Sequence, residues 1–347
     1  MVFILRGESK YMRFNRLFIS LALCATSMAQ AQSAYQPQPV RPPAGSGYLL
    51  PDGTVRVIGS PDMVGVMAKL DALYTQTHPG TKIVYQTGNN DAAIYSLEFD
   101  ATPLAPITTY FGGSLTYADI ARGPALSIRI AHASLAPAAK VSPLAIIVNP
   151  ANPIANLSLA KAASIFTQQM RQPVFATWAQ AGIKTELGAQ AIVPCGLPWS
   201  DHYASEDTAF AEDIFFRKFG GQPPVNTYRF FSTYDDVVRF VAQTPAAIGI
   251  VELNHVTTGV KVVGVTETPL GRPQTGTQEQ IDAGHYPLDR FLYINLHVTS
   301  GKPLDAFVQE YMRLVLSPEG QQAIAGSGEG YMPLNAAELD AERAKLE

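Results

Sequence analysis

Residues 55–91, VRVIGSPDMVGVMAKLDALYTQTHPGTKIVYQTGNND, decide the fold class. Two short apolar runs, VRVIG (55–59) and KIVYQ (82–86), flank a segment in which Met63, Val66, Met67, Leu70, Leu73 and Tyr74 recur at helical spacing. Gly80 follows as a stop signal. Strand, helix and strand with short joints make a βαβ unit, which predicts a parallel sheet with right-handed crossovers.

The same grammar continues downstream. PLAIIVN (143–149) is a buried strand closed by the turn PANP, and Ser158 caps a helix that buries Leu159, Ala162, Ile165 and Phe166. STYDDVVRFVAQ (232–243) opens with Thr233 and Asp236 at cap and N3, a capping box with Asp in place of Glu. AIGIV (247–251), the run at 261–266 and YPLDRFLYINLHV (286–298) read as strands. Residues 303–316 and 317–325 read as the last helices, the second with Ser317 as cap and Pro318 at N1.

Upstream, MRFNRLFISLALCATSMAQA (12–31) reads as a secretory signal: Arg13 and Arg16, a short apolar stretch, then Ala29-Gln30-Ala31 before a cut at Gln32. Met12 opens it, so residues 1–11 read as an upstream extension. Cleavage takes Arg6, Lys10, Arg13, Arg16 and Glu8 from the 25 basic and 29 acidic residues, leaving 21 and 28 and a formal charge of −7. That acidic balance argues against a nucleic-acid partner. Cys24 leaves with the signal, so Cys195 has no partner for an intramolecular disulfide. Residues 32–54, rich in Pro, Gln, Gly and Ser, read as a flexible leader. The roughly 315 residues that remain exceed one compact core, and two α/β lobes are expected.

CGLPWSDHYASEDTAF (195–210) concentrates the polar chemistry. Ser200-Asp201-His202 cannot form a triad, because adjacent residues do not converge as nucleophile, base and orienter. Cys195 with His202 has no third group, and Asp201, His202, Glu206 and Asp207 match no strong metal spacing. Neither an enzyme, a metal nor a cofactor is expected, and Ser205 is expected to cap a helix with Glu206 and Asp207 in its first turn.

Taken in order, four stretches resemble the phosphate-binding type of periplasmic solute-binding proteins that feed ABC importers: residues 57–91, SPLAIIVNPANPIANLSLAKAASIFT (142–167), TYRFFSTYDDVVRFVAQTPAAIGIVELNHV (227–256) and residues 286–334. The resemblance implies a two-lobed type II periplasmic-binding-protein-like fold, each lobe a mostly parallel sheet flanked by helices. It divides the chain into residues 55–139 plus 256–336 as lobe 1, 140–255 as lobe 2, and 337–347 as a C-terminal tail. It further implies a monomer that captures phosphate or a related oxyanion between the lobes and delivers it to a membrane permease.

The ligand set that the resemblance implies is Ser60, Gly88, Asn89, Thr108, Thr109, Ser200 and Ser205. Each has a plainer reading beside it. Ser60 followed by Pro61 is an N-cap, and Gly88-Asn89-Asn90-Asp91 is a polar turn. Arg122 and Arg129 could supply a cation only if the backbone brings them round. Asp62, Asp91, Asp201, Glu206 and Asp207 near the expected cleft oppose an anion, since one carboxylate about 5 Å from a phosphate charge costs on the order of 3 kcal/mol at an effective dielectric of 20. A divergent module with another ligand, or with none, is the alternative.

Overall fold

The computed structural model describes residues 34–110, 125–170, 173–199, 206–207, 209–298 and 301–347. The expected signal segment lies outside them, as do Arg122, Ser200, Asp201, His202 and Ser205. Strands β1 (Val55–Gly59) and β2 (Ile83–Thr87) pair in parallel, with Val55 opposite Ile83 and Gly59 opposite Thr87. Helix α1 (Val64–Thr77) connects them and buries Val66, Met67, Leu70 and Tyr74, the stripe its spacing predicts. Its C-cap is His78, and Gly80 follows with a φ of +94°, a conformation that suits glycine.

Helix α2 (Asn90–Glu98) leads to β3 (Ala105–Ile107) and β4 (Ala125–Ser134). Then come β5 (Leu144–Val148), β6 (Asn156–Ser158), α3 (Leu159–Phe166), β7 (Val193–Gly196), a π-helical turn over Glu212–Phe216, and β8 (Arg229–Phe230). Helix α4 (Tyr234–Gln243) and strands β9 (Ala247–Glu252), β10 (Lys261–Val262) and β11 (Gly264–Thr266) follow. The chain closes with α5 (Gln278–Asp282), β12 (Phe291–His297), α6 (Ala306–Val315), α7 (Pro318–Ala325), β13 (Tyr331–Met332) and α8 (Ala336–Arg343).

The caps read from sequence are in place. Ser158 accepts from the Lys161 N–H, Thr233 from that of Asp236, and Ser317 from that of Gly320. The Asp236 box is half made: its carboxylate, one methylene shorter than Glu, accepts from the Thr233 hydroxyl at 2.8 Å.

The fold is two-lobed and α/β, but its sheets are mixed rather than mostly parallel. The four-stranded sheet, ordered β13-β4-β12-β3, is antiparallel throughout; the five-stranded sheet, β10-β5-β9-β7-β8, is antiparallel around β5 and parallel around β7; and the pairs β1-β2 and β11-β6 are parallel. The reason is the path of the chain. β4 leads from one core toward the other and β12 leads back, and neighbouring strands running out and back must be antiparallel.

One core gathers Val57, Leu70, Ile130, Ile294, Phe307 and Met312; the other gathers Ile146, Phe166, Trp178, Phe210, Val237 and Ile248. Residues 256–288, expected with the first lobe, give Val260, Val263, Val265, Ile281, Tyr286 and Leu288 to the second core. The pairing of β10 with β5 and of β11 with β6 holds them there. No helix among the described residues is long and apolar enough to cross a membrane.

Both expected tails are docked. In the leader, the Tyr35 N–H donates to Glu319 at 3.1 Å, the Gln38 N–H donates to Glu310 at 2.9 Å, and the Tyr35 hydroxyl also donates to Glu310. At the other end, α8 buries Leu339 and Glu342, and Glu342 accepts from the backbone and side chain of Arg129 at 3.1 and 2.5 Å. Arg129 is therefore spent on α8.

Above it on β4, fully buried His132 lies between Asp289 (2.6 Å) and Glu338 (2.9 Å). Burial alone would lower its pKa, but the two carboxylates outweigh it and lift the imidazole to about 9. The folded value lies above the ordinary 6.5, so the contribution, about 3 kcal/mol at 1.36 kcal/mol per unit, is complete below pH 6.5 and lost as pH rises toward 9. Urea midpoints of the native chain should therefore fall between pH 6.5 and 9.5, and those of His132→Gln should fall much less; parallel curves would refute the assignment.

Candidate functional site

A cavity of about 270 Å³ opens where the end of β1, the start of α2 and the end of β3 face the segments around residues 140, 207, 234, 252 and 290. It is somewhat smaller than the roughly 300–1,000 Å³ of sites for drug-sized molecules, which suits a small solute.

The first lobe supplies neutral donors. Ser60 follows β1 as the cap of a 3-10 turn, Pro61–Met63, with Pro61 at N1. It is buried, its N–H donates to the Pro106 carbonyl at 2.8 Å, and its own carbonyl accepts from the Tyr85 hydroxyl at 2.7 Å. Asn89 caps α2 by accepting from the Ala92 N–H at 2.7 Å, and Asn89, Asn90 and buried Thr108 line the cavity.

The structure gives several sequence-derived candidates other surroundings. Gly88 has no left-handed backbone and does not line the cavity; its N–H donates to the Gly59 carbonyl at 2.8 Å, a strand-end bond any residue could make. Thr109 lies outside the lining, with its hydroxyl 3.5 Å from Asp213. Glu206 and Asp207 do not form the first turn of a helix that Ser205 would cap. Glu206 instead accepts from the Tyr234 N–H at the start of α4, complementing that helix's dipole, and Asp207 accepts from the Ala209 N–H at 2.9 Å.

The group that organises the cavity is Arg290, just before β12 and 2 % exposed. Its Nε donates to Asp213 (2.6 Å), one terminal nitrogen donates to Glu252 (2.6 Å) and Asp207 (2.8 Å), and the other reaches Asp207 at 3.3 Å. Asp207 also accepts from the Tyr234 hydroxyl at 2.6 Å. Burial works against the guanidinium's charge, but Asp207, Asp213 and Glu252 outweigh it and keep it protonated. The reach for Asp207 is a fork-to-fork contact, in which a carboxylate of the protein sits where an oxyanion could.

Burial raises Glu252 to about 7 against the pull of Arg290, and its Oε1 also accepts from the Ser142 N–H at 3.0 Å. Burial likewise raises Asp62, partly opposed by Lys140. The lining thus brings Asp62, Glu206, Asp207 and Glu252 against Lys140 and Arg290. Of the acids that seemed to oppose an anion, two are engaged within the protein: Asp207 by Arg290 and Tyr234, and Glu206 by the start of α4.

Cys195 offers no nucleophile. It is fully buried, donates to the Ile248 carbonyl at 3.4 Å, and burial pushes its thiol far above the usual range. Arg290, Lys140, Glu252 and Tyr234 were missed by sequence reasoning. Only Arg290 carried a signal, a lone cation inside an apolar stretch that needs buried partners.

Residues 50–319 match the model of the PBP superfamily domain. The phosphate-binding protein PstS of Pseudomonas aeruginosa is 26 % identical over 331 residues, spanning 94 % of this chain and 96 % of that one. Among solved structures, PstS from Borrelia burgdorferi aligns with a TM-score of 0.54 at 18 % identity, over 82 % of this chain and 99 % of its own. An ABC-type phosphate transport receptor from Vibrio cholerae aligns with a TM-score of 0.52 at 20 % identity, over 80 % and 98 %. At these identities the two structures speak for the fold.

Proposed function

The chain belongs to the PBP superfamily, and from that premise we propose that it is an exported solute-binding protein that captures phosphate or a related oxyanion for ABC-type import. The observation that carries this reading is the cavity itself: hydroxyl and amide donors of Ser60, Asn89, Asn90 and Thr108 face Lys140 and a carboxylate-buffered Arg290 across a space fit for a small anion. The near full-length likeness to PstS supports the choice of phosphate. Ser200 and Ser205, which lie outside the described residues, remain proposed contributors. The periplasm as location and a membrane permease as partner follow from the same premise.

No bond is made or broken in this role. Ligand bridging the lobes favours the closed arrangement by its differential affinity, and the chain passes between the two cores after β4 and before β12. Arg290 acts mainly by cancelling carboxylate charge, so the hydroxyls, amides and Lys140 make the direct contacts.

Calorimetric titration of ligand-free protein with phosphate and with sulfate tests the proposal; saturable phosphate binding is expected, and no heat at millimolar phosphate would sink it. Glu252 adds a sign. An anion close by favours its protonated form, so binding takes up a proton and affinity falls as pH rises above about 7, approaching tenfold per pH unit for one linked proton. Glu252→Gln mimics the protonated form and should bind more tightly than the native chain at pH 8 and equally at pH 6. Identical pH profiles for the two proteins would remove Glu252 from the account.

A further inference from the structure

The backbone of Arg290 is held on both sides. Its N–H donates to Asp289 Oδ1 at 2.8 Å, and its carbonyl accepts from the Ala133 N–H at 2.9 Å. The other oxygen of Asp289 meets Nδ1 of His132, the residue before Ala133, at 2.6 Å. Nε2 of the same ring meets Glu338 Oε2 at 2.9 Å. Both ring nitrogens face carboxylate oxygens, an arrangement that only the imidazolium satisfies with two donors. Glu338 is the third residue of α8, fixed by its capping box with Asn335. An unbroken hydrogen-bonded chain therefore runs from the C-terminal helix, through β4, to the backbone N–H of Arg290, the residue whose guanidinium lies in the cavity.

We propose that His132 and Glu338 are positioning residues for the binding cavity, setting the orientation of Arg290 from the C-terminal helix through Asp289. The guanidinium must meet Asp207, Asp213 and Glu252 at once, and a small rotation of the backbone at 290 would misalign all three contacts. Attachment of α8 does not require this chain. Glu342 binds Arg129 and Lys345, and Arg343 donates to the Leu316 carbonyl, with Leu339 in the core. The Glu338–His132–Asp289 link is additional to that anchorage and leads to the cavity.

The test reads Arg290 directly, by nitrogen-15 NMR of arginine side chains in the mature chain, with the Arg290 Nε–H signal assigned from its loss in Arg290→Lys. His132→Gln and Glu338→Ala should each speed hydrogen exchange of that proton at least tenfold. Glu338→Gln, which keeps an acceptor for His132, should return it to within about threefold of the native rate. Arg343→Ala, which loosens α8 without touching the chain of contacts, should leave it within about twofold. Exchange unmoved by both His132→Gln and Glu338→Ala would overturn the proposal, and so would an equal acceleration in Arg343→Ala. A second arm rests on the phosphate reading: phosphate affinity should drop at least tenfold in His132→Gln and Glu338→Ala and hold in Arg343→Ala. If the native chain ignores phosphate while the exchange pattern appears as described, the ligand assignment fails and the positioning role stands.

Discussion

Replacing Arg290 by Ala is expected to lower the stability of the folded chain by at least roughly 3–5 kcal/mol, the cost of breaking one buried ion pair by removing a partner. Here one deletion takes the guanidinium from three carboxylates, Asp207, Asp213 and Glu252; Asp213 and Glu252 are themselves almost wholly buried, and Asp213 keeps Arg217 at 3.4 Å. The penalty belongs to their charged forms, so it depends on pH. Burial already raises Glu252 against the pull of Arg290, and without the guanidinium Glu252 would favour its proton in the folded state more strongly still than in the unfolded chain. The variant should then gain stability relative to the native protein as pH falls from 8 toward 5.5. Urea unfolding of both proteins at the two pH values measures this, and a constant gap would mean that lost packing, rather than stranded charge, dominates. Neutralising the partners offers a second check: Arg290→Met combined with Asp207→Asn and Glu252→Gln should recover much of the loss, since a buried ion cluster replaced whole is often tolerated. Phosphate binding should be lost in Arg290→Ala, where the carboxylates face the anion without their counter-charge, and should return in part in the recovered variant, where two of them are neutral and Lys140 still lines the cavity.

Arg290 also shows where sequence reasoning stops. Helix caps were legible because each depends on residues two or three apart: Ser60, Ser158, Thr233 and Ser317 all cap in the structure. The βαβ unit was legible for the same local reason. Arg290, by contrast, meets partners 38, 77 and 83 residues away, and nothing in YPLDRFLY names them. The opposition between acids and anion in residues 195–210 was a correct reading of formal charge. Its resolution lay in Tyr234 and Arg290, which only the fold brings to Glu206 and Asp207. Sheet direction was hidden likewise. Each strand's composition shows that it is buried, but the antiparallel run of β4 against β12 follows from a chain that leaves one core and returns. Residues 337–347 were set apart as a tail, whereas Glu342 is fully buried beneath Arg129 and Lys345, partners that local sequence does not name together.

Gly59→Ala should reach the cavity from the opposite lobe. Gly59 ends β1, and its φ is not in the left-handed region, so the constraint is space. A Cβ there would lie 2.3 Å from the Tyr85 hydroxyl and 2.6 Å from the Pro106 carbonyl oxygen. Those two groups are the ones that hold Ser60, one donating to its carbonyl and the other accepting from its N–H. The added methyl cannot fit without displacing both anchors, and overpacking of this kind costs about 1–3 kcal/mol. Losing the Tyr85 hydrogen bond adds about 1 kcal/mol. Because the strain falls on Ser60, which lines the cavity, phosphate affinity should suffer as well as the urea midpoint. Tyr85→Phe removes one of the two clashing atoms, so Gly59→Ala with Tyr85→Phe should be less destabilised than the sum of the single changes. The Pro106 carbonyl cannot be removed in this way, and part of the defect should persist in the double variant. A Gly59→Ala protein with native midpoint and native phosphate affinity would show that the end of β1 yields freely, and that Ser60 does not depend on these anchors for its place in the cavity.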